Sequence, residues 1–203
     1  MSWVFAFLIL RGFLFEARPF VTDDAGVVGE GTVEVEIGSD WDMQNSLSSY
    51  IAIKHGFTEK SELDLAVGYG YPQIKPLEIN YKLQMISFDN MAFSISFTSE
   101  IGSLDYDLNG IFTFESGLWA LNFNITALES FGKGEIGVSP LLEISDKILV
   151  GLDLRINEDK DKLGSFGIVY SPFENVCFDT GIMYEDGDSI STTVLTAGVV
   201  FDL

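Results

Sequence analysis

The chain has one cysteine, Cys177, and one histidine, His55, in 203 residues. A lone cysteine excludes an intrachain disulfide, and with a lone histidine it excludes a zinc centre of the cysteine–histidine type. Basic residues are scarce too: Lys and Arg total 11 against 31 Asp and Glu, a formal charge of −20. No basic cluster exists to neutralise phosphates, so nucleic acid is not a partner. Beyond Ala17 no apolar run approaches the ~18 residues of a membrane-spanning helix. Proline is rare, and Pro19, Pro72, Pro76 and Pro172 fall at or outside the ends of alternating segments. Yet 47% of the residues are hydrophobic, which a disordered acidic chain would not show. A chain both acidic and apolar must sort its charges onto one surface.

The N-terminus, residues 1–17, reads as an export segment. Its apolar run Trp3–Leu10 suits a short hydrophobic region, and Ala17 suits the position before cleavage. No basic residue precedes the run, Arg11 interrupts it, and Phe15 is large where a small residue is preferred; a mis-assigned start codon or a buried N-terminal strand would account for these departures.

The rest is built on period two. In "GTVEVEIGSDW" Val33, Val35, Ile37 and Trp41 face one way, and Glu34, Glu36 and Asp40 the other. Similar segments follow at 47–55, 62–71, 77–86, 91–101, 108–114, 119–127, 135–144, 148–156, 163–170, 176–184 and 190–203, giving twelve strands together with the first at 32–43. The sixth alternates weakly because Ile111 interrupts its polar face, and Pro140 predicts a bulge or a break in the eighth. Tight connections ("TEKS", "SFDN", "ESG", "SDK", "SPFEN") take turns with longer or more polar ones ("PQIKP", "GSLDYDLN", "LESFGKG", "NEDKDK", "EDGDS"). An even number of strands with short turns at one end and longer loops at the other predicts a transmembrane antiparallel up-and-down β-barrel, 32–203, after a periplasmic leader at 18–31. With both termini on the tight-turn side, Phe114, Trp119, Tyr170 and Phe201 fall near that rim, and Trp41, Tyr69, Tyr71 and Tyr184 near the other. Two aromatic girdles are what rings at lipid headgroup level produce. The apolar faces are therefore expected to meet outer-membrane lipid.

The stretches "RPFVTDDAGVVGEGTVEVEIG" (18–38) and "HGFTEKSELDLAVGYGYP" (55–72) resemble the outer-membrane family named for the meta-cleavage pathway of phenol degradation, and "YSPFENVCFDTGIMY" (170–184) resembles a hairpin near the end of such barrels. The resemblance spans the mature chain. It implies a transporter-type barrel that takes up small molecules, aromatic ones among them, with no catalytic residues. The loops are trimmed relative to that pattern, which argues against an elaborate extracellular gate.

Function is expected on the inward, polar face. Glu34, Glu36, Glu62, Asp64, Glu78, Glu100, Glu143, Asp153 and Asp179 project there against Lys54, Lys82 and Arg155. Three cations cannot pair nine acids, so the surplus requires water and the interior is hydrated. That predicts an acidic passage admitting cations or neutral solutes; the alternative is a charge network filling a closed barrel that only presents its loops. A soluble β-barrel carrier and an outer-membrane hydrolase are further alternatives. His55 lies beside a tight turn, far from Ser48 and Ser49, which reads as a hydrated rim imidazole rather than a catalytic base. The acidic loops match no calcium-loop spacing, and no cofactor or metal is implied. Asp23 and Asp24 before glycine predict a capped turn in the leader, which either latches the N-terminus or partly plugs the mouth. The C-terminal "LTAGVVFDL", with outward Leu195, Ala197, Val199, Phe201 and Leu203, is the strand that barrel-assembly machinery would recognise.

Overall fold

A computed structural model describes residues 20, 23–43, 46–70, 73–102, 106–128, 132–159, 161–186 and 191–203. The expected export segment, Tyr71 and Ile190 lie outside the described residues. The strands are β1 (Val33–Asp42), β2 (Ser46–Thr58), β3 (Ser61–Gly70), β4 (Gln73–Phe88), β5 (Met91–Glu100), β6 (Tyr106–Ser116), β7 (Trp119–Leu128), β8 (Lys133–Ser145), β9 (Ile148–Asn157), β10 (Lys162–Phe173), β11 (Val176–Asp186) and β12 (Ser191–Asp202). Each pairs antiparallel with its neighbours in sequence, and β1 pairs with β12 to close the barrel. Closure leaves no strand with a free edge to face lipid.

The period-two pattern sets the faces. Around β1 the register brings Ile37 opposite Ile51 on β2 and Val199 on β12, and Trp41 opposite Leu47 and Leu195. Rows of β-branched, leucine and aromatic side chains therefore run around the outside, where Ile37, Ile53, Leu121, Ile125, Leu152, Phe166 and Ile182 are all exposed. A water-soluble protein does not leave such a continuous apolar belt uncovered. Inside the wall, Glu34, Glu36, Lys54, Glu62, Lys82, Asn122, Asp153 and Asp179 are buried.

Several expectations change in detail. β4 begins at Gln73, so "QIKP" is strand rather than loop, with one extra residue on β4 between Ile74 and Leu77, opposite Tyr69 and Val67. Ile111 points inward and is fully buried, so β6 spans its whole length despite its mixed faces. Pro140 neither ends β8 nor bulges it. The β8–β9 register is the same at Val138↔Leu154 and Leu141↔Gly151, which puts Pro140 opposite Leu152. Proline has no N–H to give there, and the Ser139 hydroxyl donates to the Leu152 carbonyl at 2.8 Å. The irregularity of this pair sits between Glu143 and Ser145, at the turn.

One end of the barrel is made of two-residue turns, Glu59–Lys60, Asp89–Asn90, Gly117–Leu118, Asp146–Lys147 and Glu174–Asn175. Gly117 holds a positive φ of 61° there, which a side chain would disfavour. Phe114, Trp119 and Tyr170 are exposed near this end, and Trp41, Tyr69 and Tyr184 near the other. Phe57, Phe88 and Phe173, which alternation alone did not mark as girdle residues, add to the tight-turn rim.

Candidate functional site: the barrel interior

The interior is occupied in part by the chain's own leader. Its described residues cross the barrel beneath β3 to β9 instead of lying outside the mouth. The Val28 N–H donates to Glu62 Oε2 at 2.6 Å. The Ala25 N–H donates to Thr113 Oγ1 at 2.8 Å, and its carbonyl accepts from Ser94 Oγ at 2.6 Å and Gln84 Nε2 at 3.0 Å. Asn124 takes both main-chain groups of Asp23, accepting from its N–H at 2.7 Å and donating to its carbonyl at 2.8 Å. Phe20 ends the described path among Ala120, Leu141, Leu149, Val169, Cys177 and Val200. Those inward apolar residues come from β7 to β12 near the tight turns, a patch that charge counting did not reveal. The Asp24 carboxylate accepts from the Gly26 N–H, the capped turn that "DDAG" predicts.

The leader enters through a narrow point. A Cβ on Gly56 would collide with the Val28 and Gly29 carbonyl oxygens, so only glycine lets the leader lie against β2. Gly31 then turns the chain into β1 at φ 78°.

Six of the expected interior residues gather on the β1–β4 wall around one cavity. Glu36, Lys54, Glu62, Asp64, Glu78 and Lys82 line it with Tyr50, Asn80, Phe20 and Asp23, enclosing about 230 Å³. Lys54 bridges Glu34 at 3.0 Å and Glu36 at 3.9 Å. Lys82 bridges Glu62 at 3.1 Å and Asp23 of the leader at 3.5 Å. The Tyr50 hydroxyl donates to Glu36, and its ring lies over Gly38, where any Cβ would collide with it. A second cavity of about 240 Å³ lies on the tight-turn side of the leader, lined by Asp24, Val27, Glu59, Gln84 and Asn90 among others. The leader thus separates two polar spaces.

Others of the expected set lie apart from that cavity. Arg155 and Asp153 belong to the β8–β9 wall, where Arg155 pairs with Glu135 at 2.8 Å and with Asp153 at 3.7 Å. Asp179 is buried against Gly198, where a Cβ would meet its carboxylate. Glu143 is half-buried near the turn into β9, and Glu100 is exposed at the opposite rim. Alternation assigns these two the inward parity, but strand ends open to water. The Lys82–Asp23 pair, the Asn122–Thr113 bond of 2.9 Å and Glu135 as partner of Arg155 lie beyond the sequence reading, although the polar parity of β6–β8 carries the signal for the last two.

His55 stands on the outer face. Its Nδ1 is 3.2 Å from the Thr32 carbonyl and its ring meets Phe57 edge-on at 4.8 Å. A backbone carbonyl thus engages the imidazole. Ser49 pairs with Ser39 at 2.9 Å, toward the other end of β2. No nucleophile–base arrangement forms around His55 among the described residues. In the β9–β10 loop, Asp159 pairs with Lys133 and Asp161 with Asn157, and no metal-binding cluster is found among the described residues.

Among solved structures, the KdgM porin aligns at a TM-score of 0.70 with 10% identity, covering 83% of this chain and 98% of its own. The fold is that of an outer-membrane β-barrel. The NanC porin aligns at 0.66 with 8% identity over 83% of this chain and 100% of its own. Omp33, an outer membrane protein of Acinetobacter baumannii, aligns at 0.62 with 13% identity over 86% and 99%. Outer membrane phospholipase A of Escherichia coli shares the architecture at 0.53 with 9% identity. At such identities the likeness is one of fold. No protein-family model matches the sequence, and no curated protein matches it.

Proposed function

We propose that this chain is a passive outer-membrane channel of a diderm bacterium, admitting small cationic or neutral solutes through an acidic lumen. The observation that carries the reading is the interior charge balance. Glu34, Glu36, Glu62, Asp64, Glu78, Glu135, Asp153 and Asp179 face the interior, against Lys54, Lys82 and Arg155. Ion pairing alone cannot balance that surplus in a low dielectric, so the barrel is hydrated and its potential is negative. Such a lumen concentrates cations and repels anions. One structural relative, the KdgM porin, is known in complex with disordered oligogalacturonate; an acidic oligosaccharide does not suit this interior. The resemblance of residues 18–38 to the meta-pathway family supports the narrower reading, small aromatic solutes.

The test is single-channel recording of the refolded full chain in planar bilayers under a salt gradient. Steady conductance steps with a cation-selective reversal potential are expected. The second reading, a closed barrel that presents its loops, is favoured by the leader inside the lumen. Silence from protein with heat-modifiable migration would select it.

A further inference from the structure

The leader is held in an unusual way for a segment inside a barrel. It adds no strand to the wall, so its main-chain groups have no ladder to join and would be orphaned without dedicated partners. Side chains from five consecutive strands supply them: Glu62 from β3, Gln84 from β4, Ser94 from β5, Thr113 from β6 and Asn124 from β7. What they recognise is main chain. Asn124 meets one residue's N–H and carbonyl together, the way a neighbouring strand would. Lys82 adds one charged contact, to Asp23 at 3.5 Å.

Three further features bear on how firmly the segment is held. Each hydrogen bond exchanges for one to water on release, so its net contribution is small. Polar cavities flank the leader on both sides, giving water access to the exchange. The joint to β1 carries Gly29 and Gly31, with Gly31 in the left-handed region. The barrel itself loses none of its ladder bonds if the segment leaves.

We propose that the inner wall of β3–β7 is a binding track for a polypeptide segment that forms no strand of its own, and that the leader is its reversible ligand. Release goes toward the tight-turn mouth, where the leader joins β1, while the closed barrel persists. The track selects main-chain groups more than side-chain identity. The consequence for gating rests on the channel reading above; the binding itself does not.

The experiment uses the full chain carrying Cys177→Ser and Ala25→Cys, refolded in detergent, with heat-modifiable migration confirming the folded barrel. Ala25 is fully buried under the track, so a bulky impermeant maleimide reaches it only when the leader is out; Val28→Cys, also at a buried position, serves if the first variant does not refold. Labelling of folded protein is expected, about tenfold faster with Asn124→Ala and Thr113→Val together. An excess of synthetic peptide covering residues 20–31 should accelerate labelling saturably by holding the track once it is vacated. Labelling no faster than global unfolding, indifferent to both the track substitutions and the peptide, would overturn the proposal. Bilayer recordings separate this from the channel reading. Labelled protein that stays silent leaves the reversible plug standing and removes the channel. Steady conductance with a leader that is never labelled keeps the channel and removes the reversible plug.

Discussion

Lys82 and Glu62 meet at 3.1 Å with both side chains out of solvent, and the same two residues hold the leader, one through Asp23 and the other through the Val28 N–H. Barrel wall and leader therefore share one charged node. Breaking a buried pair strands a charge, whereas replacing both partners with apolar groups removes the desolvation cost as well. Lys82→Met alone is expected to lower stability by about 3–5 kcal/mol, and Glu62→Leu with Lys82→Met to recover much of that loss. Urea unfolding followed by heat-modifiable migration measures it, and a single variant as stable as the parent refutes it.

The β1–β4 wall should set ion selectivity. Glu36→Gln, Asp64→Asn and Glu78→Gln together remove negative charge from one cavity, and the reversal potential in a salt gradient should move toward zero. Arg155→Gln removes a cation from the opposite wall and should move it the other way. Unchanged selectivity in both would place the selective region elsewhere.

Ser139 supplies the hydrogen that Pro140 lacks. Ser139→Ala leaves the Leu152 carbonyl without that donor inside the wall, at an expected cost of about 1–3 kcal/mol. The same substitution combined with Pro140→Val restores a backbone N–H and should restore stability. Equal stability of all three proteins in a urea series would show that the hydroxyl is not the substitute donor.

Gly56 marks the point where the leader passes β2. A methyl group there overpacks against main-chain carbonyls that cannot rotate away, so Gly56→Ala should cost about 1–3 kcal/mol. It should also loosen the leader, seen as faster proteolysis of the N-terminal segment in folded protein. Proteolysis no faster than in the parent would mean the contact relaxes without disturbing the leader.

Trp41 and Trp119 are exposed on the outer wall at opposite ends of the barrel. Lipids brominated near the headgroup should quench both in reconstituted protein, and quenchers at the bilayer centre should quench them less. The variants Trp41→Phe and Trp119→Phe, each carrying Trp3→Phe as well, assign the two signals. Equal quenching at both depths would contradict the girdle assignment.

Much of this was written along the chain. Strand number, the inward and outward sets and the tight-turn end follow from alternation and turn residues, because a side chain's face depends on parity and little else. The limits were local. Nothing in "QIKP" announces that β4 continues through it, since the extra residue between Ile74 and Leu77 shows only once Tyr69 and Val67 of β3 are opposite. Pro140 looked like a defect because its remedy, a hydroxyl one residue earlier, becomes visible only once β9 is opposite.

The interior divides along the same line. By itself the sequence determined which charges carry the inward parity and that acids outnumber bases among them, since both follow from composition and period; at the strand ends Glu100 and Glu143 open to water all the same. Tertiary structure alone decided which acid meets which base, that Glu135 rather than a carboxylate of the expected set is nearest to Arg155, and that the leader lies within the barrel. Those outcomes depend on register and on closure, which bring Asp23 to Asn124 across 101 positions of chain. Pairings of that range leave no periodic trace in one sequence, because each contact is set by where distant strands come to rest.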